Sequence, residues 1–144
     1  MFSNPFQWSE ATTSNDRSVV VEVFHRGVRL LLTGDLERDG EAAYCNANNC
    51  DVDVVKVGHH GSKTSSTPAF VSQTSAVLAI VSAGRNNRFG HPHASVVKRW
   101  ECHGTEVMTT QHGVIDLRFE GNGRFHVRQP KHVRRRRNLL KCIE

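Results

Sequence analysis

No stretch of the 144-residue chain approaches the ~20 consecutive apolar residues that a bilayer-spanning helix requires. Met1 to Glu10 lack a charged segment followed by an apolar core, so no segment is expected to insert or export the chain by itself. Cysteine is scarce: four in all, at 45, 50, 102 and 142. Cys45 and Cys50 could meet across a loop as a disulfide or share a metal ion, but Cys102 and Cys142 form no second pair at zinc-site spacing. Free or opportunistically bridged thiols are expected, which leaves the redox compartment open. Internal repeats are absent, and no domain boundary precedes the last residues.

Acidic residues are too few to balance the basic ones: 14 Asp and Glu stand against 19 Lys and Arg, a formal net charge of +5. The excess is local. Lys131, Arg134, Arg135, Arg136, Arg137 and Lys141 are opposed in the same stretch only by Glu144, so the preceding body is nearly neutral. A tail of this kind suits phosphate or an anionic membrane surface, or is simply solvated. The expected organisation is an irregular segment at 1–17, one domain with a single core at 18–128, and a basic tail at 129–144.

Within the body, Ser18 to His25 alternates as a strand, Arg26 and Gly27 supply a tight turn, and VRLLLT from Val28 to Thr33 completes a β-hairpin. The second strand runs into Gly34 and Asp35. Asp35 is either a site carboxylate at a strand end or a cap for the helix suggested by Leu36 to Tyr44. Pro68 to Ser75 reads as a short helix and Ala76 to Ser82 as a buried strand. Val96, Val97 and Trp100 stand at helical spacing within Ala94 to Cys102, which Gly104 closes. Strands follow at Glu106 to Thr109, Gly113 to Phe119 and Arg124 to Arg128.

The stretch at the centre is Asp51 to Ser66, DVDVVKVGHHGSKTSS. Its β-branched first half reads as a buried strand, and His59 and His60 follow where the strand hands over to a loop rich in hydroxyls. Three successive strands thus end in groups suited to metal or phosphate: Asp35, then His59 and His60, then Arg85, Arg88, His91 and His93. The carboxyl ends of neighbouring strands in an α/β sheet lie side by side, so these groups are expected to converge. A carboxylate and imidazoles suit Zn²⁺ or Mn²⁺, and paired ions can clamp the oxygens of a phosphodiester.

The ordered segments NDRS (15–18), LLTGD (31–35), DVVKVGHHGSKTSS (53–66) and SAGRNNRFGHPH (82–93) resemble the C-terminal metallo-β-lactamase-like domain of the ComEC family, DNA-internalisation channels of natural competence. The resemblance covers roughly residues 13 to 128. It implies an αββα metallo-hydrolase sandwich with a two-ion zinc or manganese centre and nuclease-type activity on DNA. It carries over Asp35 as a bridging metal ligand and the His59–His60 pair as the source of a histidine ligand, with Arg88 as a further catalytic group. Ser62, Arg85, His91 and His93 are implied phosphate contacts or supports of the ligands, and Arg134 to Arg137 a DNA-binding tail. In that family the domain is attached to an inner-membrane channel protein.

The family's HxDxDH-type metal motif has no counterpart here, nor has its channel or oligonucleotide-binding domain. The chain is therefore expected to be the second half of the sandwich, from a truncated reading frame or a split protein, with at most one weak ion and no activity alone. Its expected partners are DNA, the missing N-terminal half or channel protein, and a second copy of itself across an open sheet face. The competing expectation is a catalytically dead DNA-binding or interaction module.

Overall fold

The two-residue link Arg26–Gly27 has positive φ at both positions, 52° and 83°, the geometry that best matches the twist of two flanking strands. It joins β1 (Val21–His25) to β2 (Val28–Leu32) as an antiparallel pair, from Val21 opposite Leu32 to His25 opposite Val28. The computed structural model describes residues 13–129, so Arg134 to Arg137 lie outside the described residues.

After β2 the chain alternates helix and strand: α1 (Arg38–Ala47), β3 (Val54–Lys56), α2 (Pro68–Thr74), β4 (Leu78–Val81), α3 (Ala94–Cys102) and β5 (Glu106–Thr109). Strands β2 to β5 are parallel, and spatial order follows chain order. Each helix is therefore a crossover between adjacent strands, and crossovers of one hand stack on one face of the sheet. α1 accordingly touches α2, and α2 touches α3.

Local chemistry sets the helix starts. Thr67 accepts the Phe70 N–H at 3.3 Å and Pro68 occupies the first turn of α2, where its missing N–H costs nothing. α1 is started from outside itself. Buried Asp16, on a short 3-10 turn at Asn15–Arg17, accepts the backbone N–H groups of Glu37 and Gly40 at 2.8 and 3.0 Å. Residues 13–17, expected to be irregular, thus begin the folded body. At the other end of α1, Cys45 and Cys50 are joined as a disulfide.

β3 is buried on both faces, which is why its sequence is a nearly unbroken apolar run. Val55 packs under the helices with Leu31, Ala79, Phe70 and Trp100, whereas Val54 joins Val28, Leu78 and Met108 on the other side. Over that second face lies the hairpin of β6 (Asp116–Gly121) and β7 (Arg124–Arg128), which contributes Leu117, Phe119, Phe125 and Val127. Its turn is stitched to the first hairpin by a Gly123 N–H to Arg26 carbonyl bond of 3.0 Å. The face that the sequence leaves open therefore carries the chain's own hairpin. The architecture is mixed α/β, with a parallel-rich sheet between a helical layer and a two-stranded one.

Candidate functional site

The carboxyl ends of β2 and β3 are tied to one another before any site side chain is considered. Thr33 donates its hydroxyl to the Lys56 carbonyl at 2.8 Å, and His59 donates its backbone N–H to the Gly34 carbonyl at 3.2 Å. Asp35 follows directly. Because Asp16 already serves the start of α1, Asp35 is not needed there, and its half-exposed carboxylate is left for the site. Lys56 approaches from β3, with Nζ donating to the Gly34 carbonyl at 3.0 Å. Burial lowers the Lys56 pKa, and the nearby Asp35 charge opposes that shift.

Gly58–Gly61 forms a tight turn in which His59 and His60 both adopt left-handed backbone, φ 45° and 55°. Such conformations cost energy in side-chain-bearing residues and persist only where the surroundings hold them. Gly61 continues the turn at φ 80°, and a Cβ there would lie 2.6 Å from the Pro92 Cβ, so only glycine lets the two loops meet.

This turn sends the two rings to different partners. His60 Nδ1 lies 2.7 Å from the Ser82 carbonyl, which can only accept, so Nδ1 carries the proton and Nε2 of the neutral ring keeps its lone pair. That Nε2 is 3.9 Å from Asp35 Oδ1. His59 Nδ1 instead lies 3.0 Å from Glu37 Oε1. Glu37 is a hub that sequence reasoning missed: it also accepts from Thr64 Oγ1 at 2.6 Å, Thr13 Oγ1 at 3.1 Å and Asn15 Nδ2 at 3.2 Å. Burial pushes its pKa up, but these donors outweigh it and hold the carboxyl below its ordinary value. The one sequence signal was an acid two residues after Asp35.

The loop after β4 closes the other side. Asn87 Oδ1 accepts the His91 N–H at 2.9 Å, while its amide donates to the carbonyls of His91 at 2.6 Å and Gly84 at 2.9 Å. His93 donates its backbone N–H to the Gly61 carbonyl at 3.0 Å, which clamps this loop onto the histidine turn. Ring centroids run from Phe89 to His91 at 5.7 Å, and from His91 to His93 at 5.2 Å and to His59 at 5.9 Å. Burial, followed by the neighbouring His93, His59 and His60, lowers the His91 pKa and so favours its neutral form.

The structure thus brings together Asp35, His59, His60, His91 and His93, and adds Glu37, Thr64 and Lys56. Two of the expected phosphate groups have protein partners of their own. Ser62 is buried with its hydroxyl 3.0 Å from that of Thr64, and Arg85 Nε donates to the Gln111 carbonyl at 3.1 Å. Arg88 lies over the Phe89 ring at 4.7 Å.

Donors on one zinc ion at ~2.0–2.1 Å in tetrahedral array lie about 3.3 Å apart. Asp35 and His60 come within reach of that spacing, and the Ser82 carbonyl orients the imidazole as carbonyls and carboxylates do around metal-bound histidines. No third donor joins them: among the described residues, no three His, Cys, Asp or Glu side chains converge to hold an ion. These residues therefore do not by themselves fit a closed metal centre.

No protein-family model matches the chain. It is similar to ComE operon protein 3 of Bacillus subtilis, 40% identical over 124 residues, covering 84% of this chain and 16% of that protein. It is also similar to Competence protein ComA of Neisseria gonorrhoeae, 37% identical over 98 residues (67% of this chain, 14% of that protein). A third relative is Recombination protein 2 of Haemophilus influenzae, 38% identical over 96 residues, again 67% of this chain and 12% of that protein. The chain spans about a sixth or less of the length of these curated relatives.

Proposed function

From relatives that support a competence-related family, we propose that this chain supplies part of a DNA-processing hydrolase site of the metallo-β-lactamase type, acting in DNA uptake. The observation that carries this reading is the pairing of the Asp35 carboxylate with a His60 ring whose tautomer is fixed by Ser82. A carboxylate and an imidazole at adjacent strand ends are two donors of a hydrolytic metal centre, and a sheet backed by helices and faced by a second sheet is compatible with part of an αββα sandwich. Asp35 and His60 would be two of the donors to Zn²⁺ or Mn²⁺ in a centre completed by further ligands, and such an ion would supply Lewis-acid chemistry. The chain's own contribution is to orient His60 through Ser82 and His59 through Glu37, and to exclude competing contacts to Asp35 by capping α1 with Asp16 instead.

The shortage of a third donor favours a specific form of the proposal: further ligands come from outside the described residues, and the isolated chain is a weak binder without robust nuclease activity. It equally supports a second reading, a DNA-binding module without catalysis. Equilibrium dialysis against Zn²⁺ and Mn²⁺, with elemental analysis, separates them. At most one loosely held ion, lost in both Asp35→Ala and His60→Ala, is expected on the hydrolase reading. Ion uptake unchanged by either substitution overturns it, and two tightly retained ions overturn the incomplete-site form. Single-stranded and duplex DNA incubated with the chain and Mn²⁺ should remain largely intact.

A further inference from the structure

Phe89 is 60% exposed on a loop that has no need of it for packing. The loop is held instead by polar bonds: Asn87 to Gly84 and His91, Gln111 Nε2 to the His91 carbonyl at 2.8 Å, and His93 to Gly61. An apolar ring presented by a rigid frame beside the site has already been positioned before any ligand arrives. Its neighbours are also specific. The His91 ring stacks against it at 27° between planes, and the exposed Arg88 guanidinium lies over it. Through His91 the ring is one step from His59 and His93.

Aromatic rings flanked by arginine are how proteins grip unpaired nucleobases: every base has a π-face, guanidinium planes stack on bases as well, and the charge serves the adjoining phosphate. A duplex hides these faces inside its own stack. We propose that Phe89, backed by His91 and flanked by Arg88, is a stacking platform for an unpaired base. This rests on the DNA reading above and goes beyond it in naming the residue that contacts a base. A base enters over Phe89 by replacing or sandwiching against the Arg88 guanidinium, and the phosphate beside it is thereby delivered toward His91 and the Asp35–His60 pair.

The test is fluorescence anisotropy at low salt with the full chain and three probes: a labelled oligothymidine of about 12 nucleotides, a duplex of the same length, and an abasic strand that keeps the phosphates. Wild type should prefer the oligothymidine to the duplex. Phe89→Ala should weaken oligothymidine binding by roughly 5- to 150-fold, the range for loss of one stacked base, with little change on the abasic strand, and Phe89→Trp should retain binding. Oligothymidine binding unchanged in Phe89→Ala overturns the platform while leaving the DNA reading intact. An equal loss on the abasic strand or the duplex overturns it too, as does a change in self-association in place of DNA affinity. Wild type that binds none of the three probes removes the DNA reading itself.

Discussion

Glu41 is 1% exposed on α1, yet it is a carboxylic acid, and the pH dependence of stability should report the consequence. Its two oxygens accept the backbone N–H groups of Ser66 and, at 2.8 Å, Thr67, so it anchors the loop that leads from the histidine turn into α2. Burial outweighs those bonds and the attraction of Arg99, and raises its pKa from 4.5 to about 7. The folded state therefore binds the proton more tightly than the unfolded one. The stability linked to this group is fully present below about pH 4.5 and is lost as pH rises through about 7. At ~1.4 kcal/mol per tenfold change in proton affinity, the whole excursion is about 3 kcal/mol. Glu41→Gln cannot ionise, but its amide NH₂ faces one of the two backbone N–H groups and leaves it unpaired, a cost of about 1–3 kcal/mol. The variant should thus be less stable than wild type near pH 5 and level with it, or more stable, near pH 8. Urea unfolding of both proteins across that range measures this, and the difference between them isolates Glu41 from the histidines that both retain. A difference that does not vary with pH would show that Ser66, Thr67 and Arg99 keep Glu41 ionised, and that burial does not dominate.

Two further substitutions probe the frame of the site. Gly61→Ala must place a Cβ against Pro92 at a left-handed backbone position, and should cost about 2–4 kcal/mol in thermal unfolding while shifting the NMR signals of His91 and His93; unchanged histidine signals would mean that the two loops are not clamped through this contact. Asp16→Ala orphans the N–H groups of Glu37 and Gly40 and should cost about 1–3 kcal/mol, with Asp16→Asn recovering much of it through its remaining oxygen. Equal losses in the two variants would count against the hydrogen-bonding role.

Much of the frame was legible in the chain because its causes are local. Arg26–Gly27 between alternating segments specifies a hairpin by turn chemistry alone, and α3 begins and ends at the residues expected, bounded by His93 and by Gly104. The order of strands is nearly as local, since short crossovers of one hand leave few topologies, and so the strand ends bearing Asp35, His59, His60, His91 and His93 could be grouped without coordinates. What the sequence left open depends on contacts between segments far apart in the chain. Which histidine faces Asp35 is decided by left-handed turns at 59, 60 and 61 and by a carbonyl 22 residues away at Ser82. Glu37 becomes a hub only because Thr13, Asn15, His59 and Thr64 reach it through space, and Asp35 is released from capping only because Asp16 does that work from another segment. The covering of the second sheet face by β6 and β7 is of the same kind: an alternating apolar pattern says that one side must be buried, but only the path of the chain says against what.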